Sequence, residues 1–125
     1  MSQLENLKRH NAQYVEAFNA GDFEAMDAFY TDDAVAVWEP GVPLTGQARR
    51  DAQREFLARN PKISTNTRDA FVSDDTALLI VDWVIETVDE AGLPERLTGI
   101  GVDVLRLGTD GVWRYAVDDP YGQQP

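Results

Sequence analysis

A chain of 125 residues with 22 acidic against 11 basic side chains, a net charge of −11, suits neither nucleic acid nor an anionic membrane surface, because both need a basic footprint. An apolar fraction of 43% places it among folded domains, and no apolar run nears the roughly 18 residues that cross a bilayer. Zero cysteines exclude a disulfide framework and thiolate chemistry.

A single domain over residues 1–125 is therefore expected. The opening Met1-Ser-Gln-Leu-Glu-Asn6 has neither the basic nor the apolar region of a signal peptide, and a reducing cytoplasm is the expected location.

Leu4, Leu7, Asn11, Tyr14 and Phe18 recur at spacings of three and four, which predicts a helix over 3–20 with one buried stripe. His10 lies at the edge of that stripe, one turn before Tyr14. Gly21 stops the helix and Asp22 caps a second one, which buries Phe23, Met26 and Tyr30 or Phe29 and ends at Thr31-Asp32-Asp33. Ala34 to Trp38 reads as a short strand and Glu39-Pro-Gly-Val-Pro43 as a loop. A third helix is expected over 46–59, with Ala48, Ala52 and Phe56 inward and Arg49, Arg50, Arg54 and Arg59 on a solvated face, a polyanion site being the weaker alternative.

From residue 62 the period changes to two. Lys62–Val72 is a polar edge strand, and strands at 76–88, 95–107 and 112–119 follow across turns at 89–94 and 108–111. Gly122–Pro125 reads as a loose tail. Helices first and antiparallel strands after make an α+β domain with helices on one face of a sheet. In the strand 76–88 both faces are mostly apolar: Ala77, Leu79, Val81, Trp83 and Ile85 on one, Leu78, Ile80, Asp82 and Val84 on the other. Helices cover one face only, so a second copy is expected on the other, giving a homodimer.

Phosphate-loop, dinucleotide, nucleophile-elbow and zinc-protease motifs are all missing, and one histidine without cysteine gives a protein-built zinc or haem site too few ligands. No metal and no cofactor are expected. A carboxylate-only magnesium site around Asp118-Asp119 is the weaker alternative to a solvated pair. Carboxylates and phenols in an apolar surround remain. Asp103 shares a strand face with Leu97, Gly99, Gly101, Leu105 and Leu107; on the concave side it would be buried and held protonated, and on the outer side it would meet an arginine such as Arg68. Glu39 is either a base at a cavity mouth or a surface acid. Trp38 stands beside it. Trp83 and Trp113 are core residues first and ligand platforms second, and Asp118 either caps a turn or closes the open end of a pocket.

Phe18-Asn-Ala-Gly-Asp22, Tyr30-Thr-Asp-Asp-Ala34, Glu39-Pro-Gly41 with Gly46 after it, and Gly111-Val-Trp-Arg-Tyr-Ala-Val-Asp-Asp-Pro-Tyr-Gly122 together resemble the NTF2-like (SnoaL-like) superfamily. The last piece is similar to its bacterial YybH-type, DUF4440-related branch. The resemblance implies a cone: three N-terminal helices packed on a curved antiparallel sheet that encloses a pocket for a small apolar molecule. Within the superfamily, the ketosteroid isomerase pattern places its two oxyanion donors on Tyr14 and Asp103, and its general base on Trp38 or, with a one-residue slip, Glu39. The acid that polyketide cyclases carry near the chain end falls on Asp118. The implied activity is an isomerase or lyase moving a proton alpha to a carbonyl, with Tyr14, Asp103 and Glu39 catalytic and His10, Trp38, Trp83, Trp113 and Asp118 contacting the substrate. The alternative is a module that binds without turnover.

Overall fold

A computed structural model of the protein describes residues 2–122, so the expected tail beyond Gly122 lies outside the described residues. Helix α1 runs Gln3–Asn19, and the Ser2 side chain caps it by accepting from the Glu5 N–H at 3.1 Å. Its buried stripe is Leu7, His10, Tyr14, Ala17 and Phe18, while Leu4, expected in the stripe, is exposed. Gly21 takes a φ of 68°, a left-handed conformation that costs glycine little, and Asp22 caps α2 (Phe23–Asp27) through the Ala25 N–H. Asn19 then fastens the end of α1 to the sheet. Its side-chain amide donates to the Ile63 carbonyl at 3.0 Å and accepts from the Ile63 N–H at 2.6 Å, as a neighbouring strand would.

The strand β1 covers Tyr30–Glu39, four residues longer at its start than the sequence pattern suggests. Tyr30 is a strand residue, not the end of a helix. Its backbone lies opposite Tyr115, and the Tyr115 N–H donates to the Phe29 carbonyl at 2.7 Å, which halts the helix there. Thr31, Asp32 and Asp33 sit in an irregular stretch of that pairing, so polar residues interrupt the strand without ending it. The expected loop contains a short strand, β2 (Val42–Leu44), which returns along β1. Only α1 and α2 precede the sheet; α3 (Gly46–Leu57) follows β2, which corrects the expectation of three N-terminal helices.

The inward residues of α3 are Arg49, Gln53 and Leu57, with Ala52 and Phe56 half-buried and Ala48 exposed. Arg49 is therefore a core residue rather than part of a solvated face. Its Nη1 lies 3.0 Å from Asp27 Oδ1 and donates to Gln53 Oε1 at 2.8 Å, and its guanidinium sits 4.7 Å from the Tyr30 ring centre.

The strands β3 (Lys62–Ser73), β4 (Thr76–Val88), β5 (Pro94–Leu107) and β6 (Trp113–Asp119) complete a six-stranded, unclosed sheet in the order β2-β1-β6-β5-β4-β3. The neighbours pair antiparallel except β1 and β6, which run parallel. β3 is an edge strand, as its polar pattern predicts. Ala77, Leu79, Val81, Trp83 and Ile85 of β4 are buried in the concave face, in one cluster with Leu7, Tyr14 and Phe18 of α1. On the convex face the registers bring Phe71, Leu78, Val104 and Val117 into one apolar row across four strands, and Phe71 is 60% exposed.

Candidate functional site

Strand parity decides the site. Leu79, Asp103 and Asp118 are directly opposed across β4, β5 and β6, so both carboxylates share the concave face with the core residues of β4. Arg68, the alternative partner for Asp103, pairs instead with Asp82 on the exposed side at 2.8 Å. Above these carboxylates the sheet, α1 and α3 leave a cavity of about 570 Å³. That volume lies within the range of small-molecule sites. Tyr14, Trp38, Glu39, Trp83, Asp103 and Asp118 all line it. His10 and Trp113 do not.

Those last two face a separate hollow of about 210 Å³ under the first turns of α1. One helical turn, about 5.4 Å, separates His10 from Tyr14, enough to carry it past the cavity's end. The Trp113 indole N–H donates to Gln3 Oε1 at 3.0 Å, a helix–sheet tie. The substrate contacts expected of His10 and Trp113 are thus not available in this cavity. His10 packs edge-on against Phe29 and Tyr115, with ring centres 5.0 and 4.9 Å away, and neither ring nitrogen has a hydrogen-bond partner.

Burial first, and Arg114 second, push the His10 imidazole down from 6.5 to about 4. The folded state therefore refuses a proton that the unfolded state accepts, and stability present at neutral pH is lost as pH falls from 6.5 toward 4. About 3 kcal/mol is at stake over that window. Urea titrations of the wild type and His10→Phe should diverge there, the wild type losing stability on acidification faster than the variant; parallel pH profiles would contradict this account.

The polar centre is a set of donors aimed at one carboxylate. Asp118 Oδ2 accepts from the Tyr30 hydroxyl at 2.6 Å and from the Trp38 indole N–H at 2.8 Å. The Tyr14 and Tyr30 hydroxyls are 2.8 Å apart. Tyr30 has one proton and gives it to Asp118, so Tyr14 must be the donor in the bond between them. The Tyr14 proton is thus committed inside the protein, and Tyr14 presents lone pairs to the cavity rather than the donor that the resemblance assigns it.

Asp103 is 9% exposed, and its Oδ1 is buried with no donor facing it. It lies directly opposite Asp118 in the register of β5 and β6. Two carboxyl groups share a hydrogen bond only when one is protonated. Burial above all, then the Asp118 charge and the bond to it, raise the Asp103 carboxyl well above the usual carboxylate range. Burial also raises Asp118, while bonds from Tyr30, Trp38 and Asp103 pull it back. Asp103 thus favours the protonated form, whereas the donors at Asp118 oppose the effect of its burial and favour its charged form. Burial keeps the phenols of Tyr14, Tyr30 and Tyr115 neutral.

The walls are aromatic. Phe18, Trp38 and Phe56 form a contiguous group, with Trp38 and Phe56 edge-on at 5.5 Å. Trp83 opposes them and is oriented by its indole N–H, which donates to the Pro120 carbonyl at 2.7 Å. Glu39 is exposed at the mouth. Sequence reasoning missed three contributors: Tyr30, read as helix core; Tyr115, in phase with Trp113; and Arg49, which braces the Tyr30 ring from behind. The alternation of Trp113 and Tyr115 was the one available signal among them.

Residues 12–117 match the family model of the SnoaL-like domain, and the chain belongs to that family, within the NTF2-like superfamily. No curated protein sequence matches the chain. Among solved structures, a conserved protein from Planctomyces limnophilus DSM 3776 superposes with a TM-score of 0.83 at 18% identity, over 93% of this chain and 92% of that one. A ketosteroid isomerase-like protein from Erwinia carotovora atroseptica gives 0.75 at 22% identity, over 94% and 93%. A candidate dehydratase of the NTF2-like family from Streptomyces avermitilis gives 0.71 at 20%, over 92% of each. At these identities the likeness establishes the fold. Among the described residues, no helix is long and apolar enough to cross a membrane.

Proposed function

We propose that the cavity binds a small, mostly apolar carbonyl compound and moves a proton alpha to its carbonyl, as an isomerase or a lyase. One observation carries this reading: two carboxyl groups stand directly opposed in a cavity with aromatic walls, and burial favours the protonated form of Asp103. Environments that separate an acid from a base are how a site runs both chemistries near neutral pH. Asp103 donates its hydrogen bond to the carbonyl oxygen, and the Asp118 carboxylate takes the alpha proton. The steps reinforce each other. When Asp103 turns its proton to the substrate, Asp118 loses a donor and becomes a stronger base. The enol then regains the proton at another carbon, or expels a beta substituent. Glu39, exposed at the mouth, stands apart from this pair, and Tyr30 and Trp38 hold Asp118 in place, with Tyr14 bonded to Tyr30.

Alpha-deuterium exchange of cyclic enones in D2O, followed by NMR, tests the reading. The wild-type chain should accelerate exchange, and Asp118→Asn should lose at least about 100-fold of that acceleration. Exchange no faster than buffer, or full activity without Asp118, would defeat it. Passive binding is the second reading, favoured because the protons of Tyr14, Tyr30 and Trp38 are all spent on protein atoms. Under it the enones bind but do not exchange.

We also infer a homodimer through the convex row of Phe71, Leu78, Val104 and Val117, since four aligned apolar residues on an uncovered sheet favour burial against their like. Light scattering should report twice the monomer mass, and Phe71→Arg should halve it. A monomeric wild-type chain would sink this expectation.

A further inference from the structure

We infer that the substrate carries a positive charge, a protonated amine or a comparable cation, at the end left at the cavity mouth. This deepens the proton-transfer reading by naming the charge of its substrate, and rests on that reading for placing the carbonyl on the floor. Three carboxylates from separate elements line the mouth: Glu39 at the end of β1, Glu55 on α3 and Glu90 in the turn after β4. All three are exposed, and none is in an ion pair among the described residues. Among the described residues Arg59 is the one cationic lining residue, and its guanidinium is laid over the Phe56 ring, 4.9 Å from the centre.

The floor supplies an independent observation. Asp103 is more than nine-tenths buried with an unpartnered Oδ1, it stands opposite Asp118, and among the described residues neither carboxyl is in an ion pair. A buried charge without a counter-charge is costly, and a cation bound in the same cavity offsets it. An anionic compound meets repulsion twice, at the mouth and again at the floor. The wall between them suits a cation: the Phe56 face already accommodates a guanidinium, and Trp38 stands beside it. The donor and acceptor of the floor match a carbonyl with its adjacent C–H, which leaves the cation to the mouth.

The test uses three matched cyclohexenones whose tails end in an ammonium, a hydroxyl or a carboxylate, titrated calorimetrically into the wild type and the E55Q/E90Q double variant. Both substituted side chains are exposed, and Glu39 stays in place. The ammonium probe should bind about tenfold more tightly than the carboxylate probe at low salt, and the ratio should shrink at high salt and in the double variant. Repeating the titration in buffers of different ionisation enthalpy should show no proton released. Equal or tighter binding of the neutral or anionic probe, an unchanged ratio in the double variant, binding by none of the three, or release of a proton (which would put the ammonium on Asp103) each overturns the inference. Charge preference without deuterium exchange would defeat the proton-transfer reading alone. Exchange of all three probes at equal affinity would defeat this inference alone.

Discussion

Asp103→Asn should make the protein more stable than the wild type at pH 8, with an advantage that shrinks as the pH falls toward 4. The folded chain holds the Asp103 proton well above the usual carboxylate range, whereas the unfolded chain releases it near the ordinary value of about 4. Where the native state binds more protons than the unfolded state, stability falls as pH rises. The wild-type contribution is therefore complete below the unfolded value and is lost as pH climbs toward the folded one. Each pKa unit of elevation corresponds to about 1.36 kcal/mol. An asparagine keeps a donor for Asp118 and has nothing to titrate. Denaturation midpoints of both proteins across that range provide the measurement, and parallel curves would show that Asp103 does not hold a proton in the folded chain. Asp118→Asn offers a complementary result: with the charge gone, the Asp103 carboxyl should titrate lower, as a carbon-detected NMR titration would show.

The larger loss of stability is expected from Arg49→Ala. Arg49 is 1% exposed, it pairs with Asp27, it bonds Gln53, and its guanidinium supports the ring whose hydroxyl holds Asp118. Truncation removes the stem that fills the space between α3 and β1 and leaves Asp27 with Arg50, at 3.3 Å and partly solvated. About 3–5 kcal/mol is the expected cost, a fall in melting temperature on the order of 10 °C or more. Arg49→Met should cost far less. It restores the stem, although it gives up the Nη1 contacts to Asp27 and Gln53; the Nε and Nη2 atoms have no partners to lose. Equal losses in the two variants would place the stabilisation in the charge rather than in the packing.

The sequence was legible where one periodicity ruled. The stripe Leu7, Tyr14 and Phe18 and the alternation of β4 gave α1 and the concave face, while the face of Asp103 stayed open until the strand register placed it inward. It was misleading where a long-range partner overrode the local pattern. Tyr30-Thr-Asp-Asp33 has a helix end's composition, yet Tyr30 pairs with Tyr115 and becomes a strand residue. Arg49 belongs to an arginine-rich helix that looks solvated, and only Asp27 and Gln53 make its burial tolerable. Asp118 was noticed, but its centrality depends on Tyr30 and Trp38, both on a strand whose start the composition hides. The direction of the Tyr14 proton was equally hidden, because it follows from what Tyr30 gives to Asp118.

The parallel pairing of β1 with β6 sets an order of events. The antiparallel pairs of β3, β4 and β5 form between neighbours in the chain, whereas β1 waits for a partner almost at the far end. The hydrogen bonds that Tyr30 and Trp38 give to Asp118 cross that late seam. Contacts so distant along the chain close slowly, since the loop between them must be ordered before they repay it. During synthesis the helices and β1 therefore emerge without a template, and the chemistry-bearing cluster should be the last part of the molecule to assemble and the first to loosen. Hydrogen exchange should find the β1–β6 amides less protected than those between β3 and β4.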